Sequence, residues 1–192
     1  MPAAMTTTAA VRMALDARNA RSMPAGPDRA GVDPGTIRPV DGHYFAYGSN
    51  LAARIMEEWC PGAHYLGPAC LHGFRLAFLR RSTRWKAGAA DVIPHQGEAV
   101  WGALYAVGEA ELAALDAKEF VAASGYRRRE VVVAHDGSQV AAATYEVVDK
   151  ARDELTPKSE YLALMLEGAT ERGLPDEWIE HLRGLPARFG LD

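Results

Sequence analysis

Residues 43–59 read HYFAYGSNLAARIMEEW, and the division of this stretch decides the fold. Tyr44, Phe45 and Tyr47 make a short aromatic run, which suits a β-strand. Gly48-Ser49-Asn50 interrupts it as a turn. Leu51, Ile55 and Trp59 then recur at i, i+4 and i+8, on one face of a helix that Pro61-Gly62 ends. The stretch is therefore strand, turn, helix, with Ser49 or Asn50 as the helix cap. Unpaired N–H groups and the positive end of the helix dipole would hold an anion there, and Gly48 lets a ligand approach the backbone closely. No Gly-Lys-Ser/Thr follows, so a carboxylate fits better than a phosphate.

Outward from this stretch, Arg75–Leu79 reads as a short strand and residues 80–98 as a long loop rich in Gly, Ala and charge. AVWGALYAV, residues 99–107, is apolar on both faces and reads as a buried strand. Glu109–Glu119 is a helix. Within it Leu112, Leu115 and Glu119 fall at i, i+3 and i+7, so a carboxylate lies on the inward stripe in the last turn. A carboxyl placed there can take a proton and return it. Arg128–Ala134 and Gln139–Val147 flank Asp136-Gly137, which predicts a hairpin. Tyr161, Leu162, Met165, Leu166 and Ala169 form the stripe of one closing helix. Pro175 opens another, with Trp178, Ile179, Leu182 and Leu185 inward. The pattern is α+β: a small, mixed, largely antiparallel β-barrel with flanking helices. The domain spans residues 41–188. Residues 1–40, with the run PAGPDRAGVDPGTIRP, are expected to form a flexible tail.

A net charge of −4 excludes a global basic field, so neither nucleic acid nor a membrane is expected as a partner; a homodimer is allowed. Arg80, Arg81, Arg84 and Lys86 form one basic cluster and Arg127-Arg128-Arg129 another, both read as solvated surface. Two cysteines, Cys60 and Cys70, and six scattered histidines give no disulfide framework and no metal site. No apolar run spans a bilayer and no secretory signal opens the chain, which fits a cytoplasmic protein.

YFAYGSNL, VWGALYAV, LDAKE followed by SGYRRREVVV, and PKSEYLALMLEGATERGLP resemble the γ-glutamylcyclotransferase family, in order, over nearly all of residues 43–186. The resemblance implies the same mixed barrel. It implies an enzyme that releases 5-oxoproline from small-molecule γ-glutamyl amides with no cofactor. It also implies a substrate pocket made by Tyr44, Phe45, Ala46, Tyr47, Gly48, Ser49 and Asn50. In that pocket the backbone of Gly48 and Ser49, with Asn50, grips the glutamyl α-carboxylate. Glu119 is implied as the catalytic acid–base, and Tyr126 and Tyr161 as substrate contacts. Tyr145 matches a tyrosine position of the family and is read as packing.

Two residues depart from the family pattern. Phe120 stands where a Gly usually follows the catalytic Glu, and is expected to alter the turn beside Glu119. Asp91 stands where a small apolar residue or Thr is common, and is expected to alter the pocket or its leaving-group side. The chain has no G-x-S-x-G elbow, consistent with a substrate that carries its own nucleophile, the α-amine. Three ligand types stay open. One is a small γ-glutamyl amino acid or amine. Another is a larger product, from which a tailoring enzyme strips a γ-glutamyl group. The third is a ligand held by a silent binding module.

Overall fold

The computed structural model describes residues 42–191; the tail expected over residues 1–40 lies outside the described residues. The aromatic run becomes β1 (Gly42–Ala46), joined by β2 (His64–Ser82), β3 (Ala87–Val107), β4 (Tyr126–His135) and β5 (Ser138–Val147). They close into a barrel in the order β1-β3-β2-β4-β5. Neighbours are antiparallel except β1 and β5, which run parallel where Tyr44 faces Ala143. Closure leaves no open sheet edge. Asp136 and Gly137 both take positive φ, 46° and 75°, as the expected hairpin requires.

The loop expected over residues 80–98 is instead the tip and return arm of the long β2–β3 hairpin. Arg80 faces Ala89, Arg81 faces Gly88 and Ser82 faces Ala87, around a turn at residues 83–86. Alanine and glycine carry little β propensity, so this arm is invisible to pattern. Tertiary contact makes it a strand. Ala89, Ala90 and Val92 are buried, and the Gly88 N–H donates to the Thr156 carbonyl at 3.0 Å. Register shifts at Tyr65/Gly67, His72/Phe74 and Ala77/Arg80 bend the two long strands around the barrel.

The helices are α1 (Ala53–Trp59), α2 (Glu109–Lys118), α3 (Ser159–Glu171), α4 (Asp176–Arg183) and the short α5 (Leu185–Arg188). The helix expected to start at Ser49 is split. Ser49–Leu51 is a separate 3₁₀ turn, Ala52 is extended, and neither Ser49 nor Asn50 makes a capping bond. Helix α3 lies directly on that turn. A Cβ on Gly168 would sit 2.3 Å from the Leu51 carbonyl carbon and the Ala52 nitrogen, so only glycine allows the approach. The core behind this contact includes Phe45, Phe78, Leu104, Tyr105, Leu115 and Met165, all fully buried. Among the described residues, no helix is long and apolar enough to cross a membrane.

Candidate active site

Where β1 runs out into the glycine turn, a small pocket opens to solvent. Its lining is Tyr44, Tyr47, Gly48, Ser49, Asn50, Ala90, Glu119, Tyr126, Tyr145 and Tyr161. The lining does not include Phe45 and Ala46. Strand alternation turns Phe45 away from Tyr44, into the core beside Gly102, and its carbonyl accepts the Thr144 hydroxyl at 2.9 Å.

Two lining residues were not anticipated as site residues. Ala90 lay in the supposed loop, and no feature of an alanine there marks it. Its N–H donates to the Tyr161 hydroxyl at 3.1 Å and its carbonyl accepts from the Tyr126 hydroxyl at 2.9 Å. One β3 residue therefore orients two phenols. Tyr145 was read as packing. Its ring meets that of Tyr44 edge-on at 5.8 Å and its hydroxyl donates to Asp116 at 2.6 Å. Ala143 pairs with Tyr44 and Tyr145 lies on the same face as Ala143, a pairing that sequence spacing does not reveal.

Helix α2 stops at Lys118, and Glu119 steps off its end with φ −85° and ψ 6°. The Glu119 side chain is 15% exposed. Its Oε1 accepts from Asn50 Nδ2 at 3.1 Å and from Lys118 Nζ at 2.9 Å. The same Asn50 nitrogen donates to the Tyr44 hydroxyl at 2.6 Å. Glu119, Asn50 and Tyr44 thus form one hydrogen-bonded line from the end of α2 to the glycine turn. The Asn50 amide nitrogen is engaged with Glu119 and Tyr44, and its buried Oδ1 is without a protein partner among the described residues.

The anion site expected at the helix N-terminus is also corrected. The first N–H of α1, at Ala53, donates to Glu171 Oε2 at 3.0 Å, so a carboxylate of α3 already occupies that end. A ligand carboxylate is left with the turn before it. Gly48 gives room there. A Cβ on it would lie 3.2 Å from the Tyr161 hydroxyl and 3.3 Å from Ala90.

Burial raises the pKa of every lining phenol. For Tyr44 burial is the main cause, with the Glu119 charge adding to it. Tyr47 and Tyr126 are raised first by burial and then by neighbouring groups, and Tyr161 by burial against the opposing Ala90 bond. Tyr145 rises through burial and its bond to Asp116. These hydroxyls stay protonated at neutral pH and act as neutral donors. Glu119 supplies the carboxylate of the lining.

Asp91 is not in the lining. It is fully buried and ion-paired with Lys150, and Oδ1 accepts the N–H groups of Val92 and Val147 at 3.0 Å. Burial raises its pKa, opposed by Lys150 and those two bonds. Asp91 ties β3 to the end of β5. Phe120 takes the left-handed conformation that glycine favours, φ 56°, and is 51% exposed. The basic clusters are more structural than expected. Arg80 donates to the Gly125 carbonyl at 2.7 Å and stacks over Tyr126 at 5.1 Å. Arg127 and Arg129 both grip the buried Glu146.

The barrel and its pocket define a class of small mixed-barrel proteins, and residues 99–182 match the AIG2-like family. A bovine γ-glutamylcyclotransferase is 30% identical over 157 residues, 78% of this chain and 82% of the relative. The human γ-glutamylcyclotransferase is 31% identical over 147 residues, 74% and 77% of the two chains. A solved γ-glutamyl cyclotransferase structure superposes with a TM-score of 0.70 at 31% identity, covering 74% of this chain and 86% of its own. The chain belongs to the γ-glutamylcyclotransferase family. Its enzyme class and barrel are those of that family.

Proposed function

We propose that the protein releases 5-oxoproline and a free amine or amino acid from a γ-glutamyl amide. The α-amine of the glutamyl group attacks its own γ-carbonyl and closes a five-membered lactam. The observation that carries this reading is the line from Glu119 through Asn50 to Tyr44, which sets a largely buried carboxylate beside the glycine turn. The family membership supports it.

The backbone N–H groups of the Gly48–Asn50 turn hold the α-carboxylate, so the glutamyl chain curls toward Glu119. Glu119 removes a proton from the α-ammonium, whose ordinary pKa is about 7.7–8.0. The freed nitrogen lone pair forms the new C–N bond, and the γ-carbonyl becomes a tetrahedral oxyanion faced by the neutral phenols. As the oxyanion collapses, the bond to the leaving nitrogen breaks, Glu119 gives its proton to that nitrogen, and the freed carboxylate takes the second proton from the ring nitrogen and passes it to the departing amine, leaving the neutral lactam. Well-oriented intramolecular attack reaches effective molarities of about 10⁵–10⁸ M, so the protein supplies orientation and one proton carrier. The unpartnered Asn50 Oδ1 is suited to accept from the α-amine.

Glu119→Gln keeps the shape of the side chain and removes the base. The expected outcome is loss of 5-oxoproline formation by about 10²-fold or more with binding retained. The check is a mass-spectrometric screen of γ-glutamyl dipeptides, γ-glutamyl amines and glutathione. A variant as fast as the parent on a turned-over substrate contradicts the role of Glu119.

A further inference from the structure

Lys118 is not part of the pocket lining, the resemblance gives it no role, and its burial requires a cause. Its side chain is only 6% exposed, whereas lysine is almost never buried unless paired. Its ammonium lies 2.9 Å from Glu119 Oε1. This is not an ordinary helix-surface ion pair, because neighbours in a helix point about 100° apart. The pair forms because α2 ends at Lys118 and Glu119 leaves the helix.

We infer that Lys118 is a positioning residue for the reaction of Glu119. Its buried ammonium and the Asn50 amide together hold Oε1 and turn Oε2 toward the substrate as the oxygen that carries the proton. The inference rests on the cyclotransferase reading and deepens it.

The groups around the ammonium bear this out. Cys60 packs close enough to feel its charge, but burial pushes that thiol up to about 12, with Glu111 adding to the rise, so Cys60 remains a neutral S–H. Glu111 is engaged through Oε2, which accepts the Gly108 N–H at 3.1 Å. Tyr44 is a neutral phenol on the far side of Asn50. Two donors on a single carboxylate oxygen fix the plane of the group, and a planar group fixed at Oε1 has one direction left for Oε2.

The test compares kcat and KM for Lys118→Met, Lys118→Gln and Lys118→Arg against the parent, on a substrate the parent turns over, with thermal unfolding of each variant. Lys118→Met keeps an apolar stem in the same burial, and Lys118→Gln serves if methionine does not fold. The inference predicts a fall in kcat on the order of tenfold to a hundredfold, KM within about twofold, and partial recovery of kcat with Lys118→Arg. A kcat equal to the parent's overturns it. So does a loss that falls in KM, a loss that simply tracks a lower Tm, or an arginine variant no better than methionine. A parent that releases no 5-oxoproline from any substrate overturns the cyclotransferase reading itself, and this inference with it. An active parent with an indifferent Lys118 overturns the inference alone.

Discussion

Gly48 concentrates several constraints in a missing methyl group. A Cβ there would press on the Tyr161 hydroxyl at 3.2 Å and on Ala90 at 3.3 Å, distances a small shift relieves. The fold should survive Gly48→Ala, but the methyl stands on the floor of the pocket where the substrate carboxylate is to lie. The expected outcome is a rise in KM of about tenfold with a nearly unchanged Tm, read by steady-state kinetics and calorimetry. An unchanged KM places the carboxylate elsewhere. At this scale much was legible. The turn at Gly48 and the inward face of Glu119 are local patterns, fixed by spacing along the chain. The parts of Ala90 and Lys118 were not, because each depends on a neighbour and a depth of burial that spacing does not encode.

Among the elements, the β4–β5 hairpin was readable from Asp136-Gly137, a turn whose chemistry is set by two adjacent residues. The β2–β3 hairpin was not, because its Gly- and Ala-rich arm becomes a strand through contacts with β2 and with the segment at Leu155–Thr156. The expected helix cap failed because Ala52 is extended and Glu171 of α3 meets the first N–H of α1. On the β4–β5 ribbon, burial alone would raise the Glu146 carboxyl, but the Arg129 and Arg127 guanidiniums outweigh it and hold the carboxyl below its usual range. A carboxyl with a lower pKa folded than unfolded adds stability above the ordinary range of about 4.3. That stability fades as the pH falls through the folded value. Glu146→Gln should therefore lower the Tm at neutral pH by a few degrees and flatten its decline between about pH 5 and pH 3. Calorimetry across that range checks it; parallel curves for parent and variant contradict the pairing.

At the scale of the whole molecule, barrel closure brings the site together. Tyr44 comes from β1, Ala90 from β3, Glu119 from the end of α2, Tyr145 from β5 and Tyr161 from α3. Periodicity gave the strands and helices singly. The parallel β1–β5 seam, which draws Tyr44 to Ala143, and the Gly168 contact, which sets α3 on the glycine turn, arise only from long-range packing. The family resemblance anticipated the meeting of Glu119, Tyr161 and the turn; composition and spacing alone did not. The account requires that the attacking atom be the substrate's own nitrogen, with water excluded from the new bond. The direct measurement is turnover of a γ-glutamyl substrate in ¹⁸O-enriched water, with the products read by mass spectrometry. The account predicts 5-oxoproline without ¹⁸O and one equivalent of free amine. Glutamate carrying a single ¹⁸O would show that water attacks the γ-carbonyl, and would contradict it.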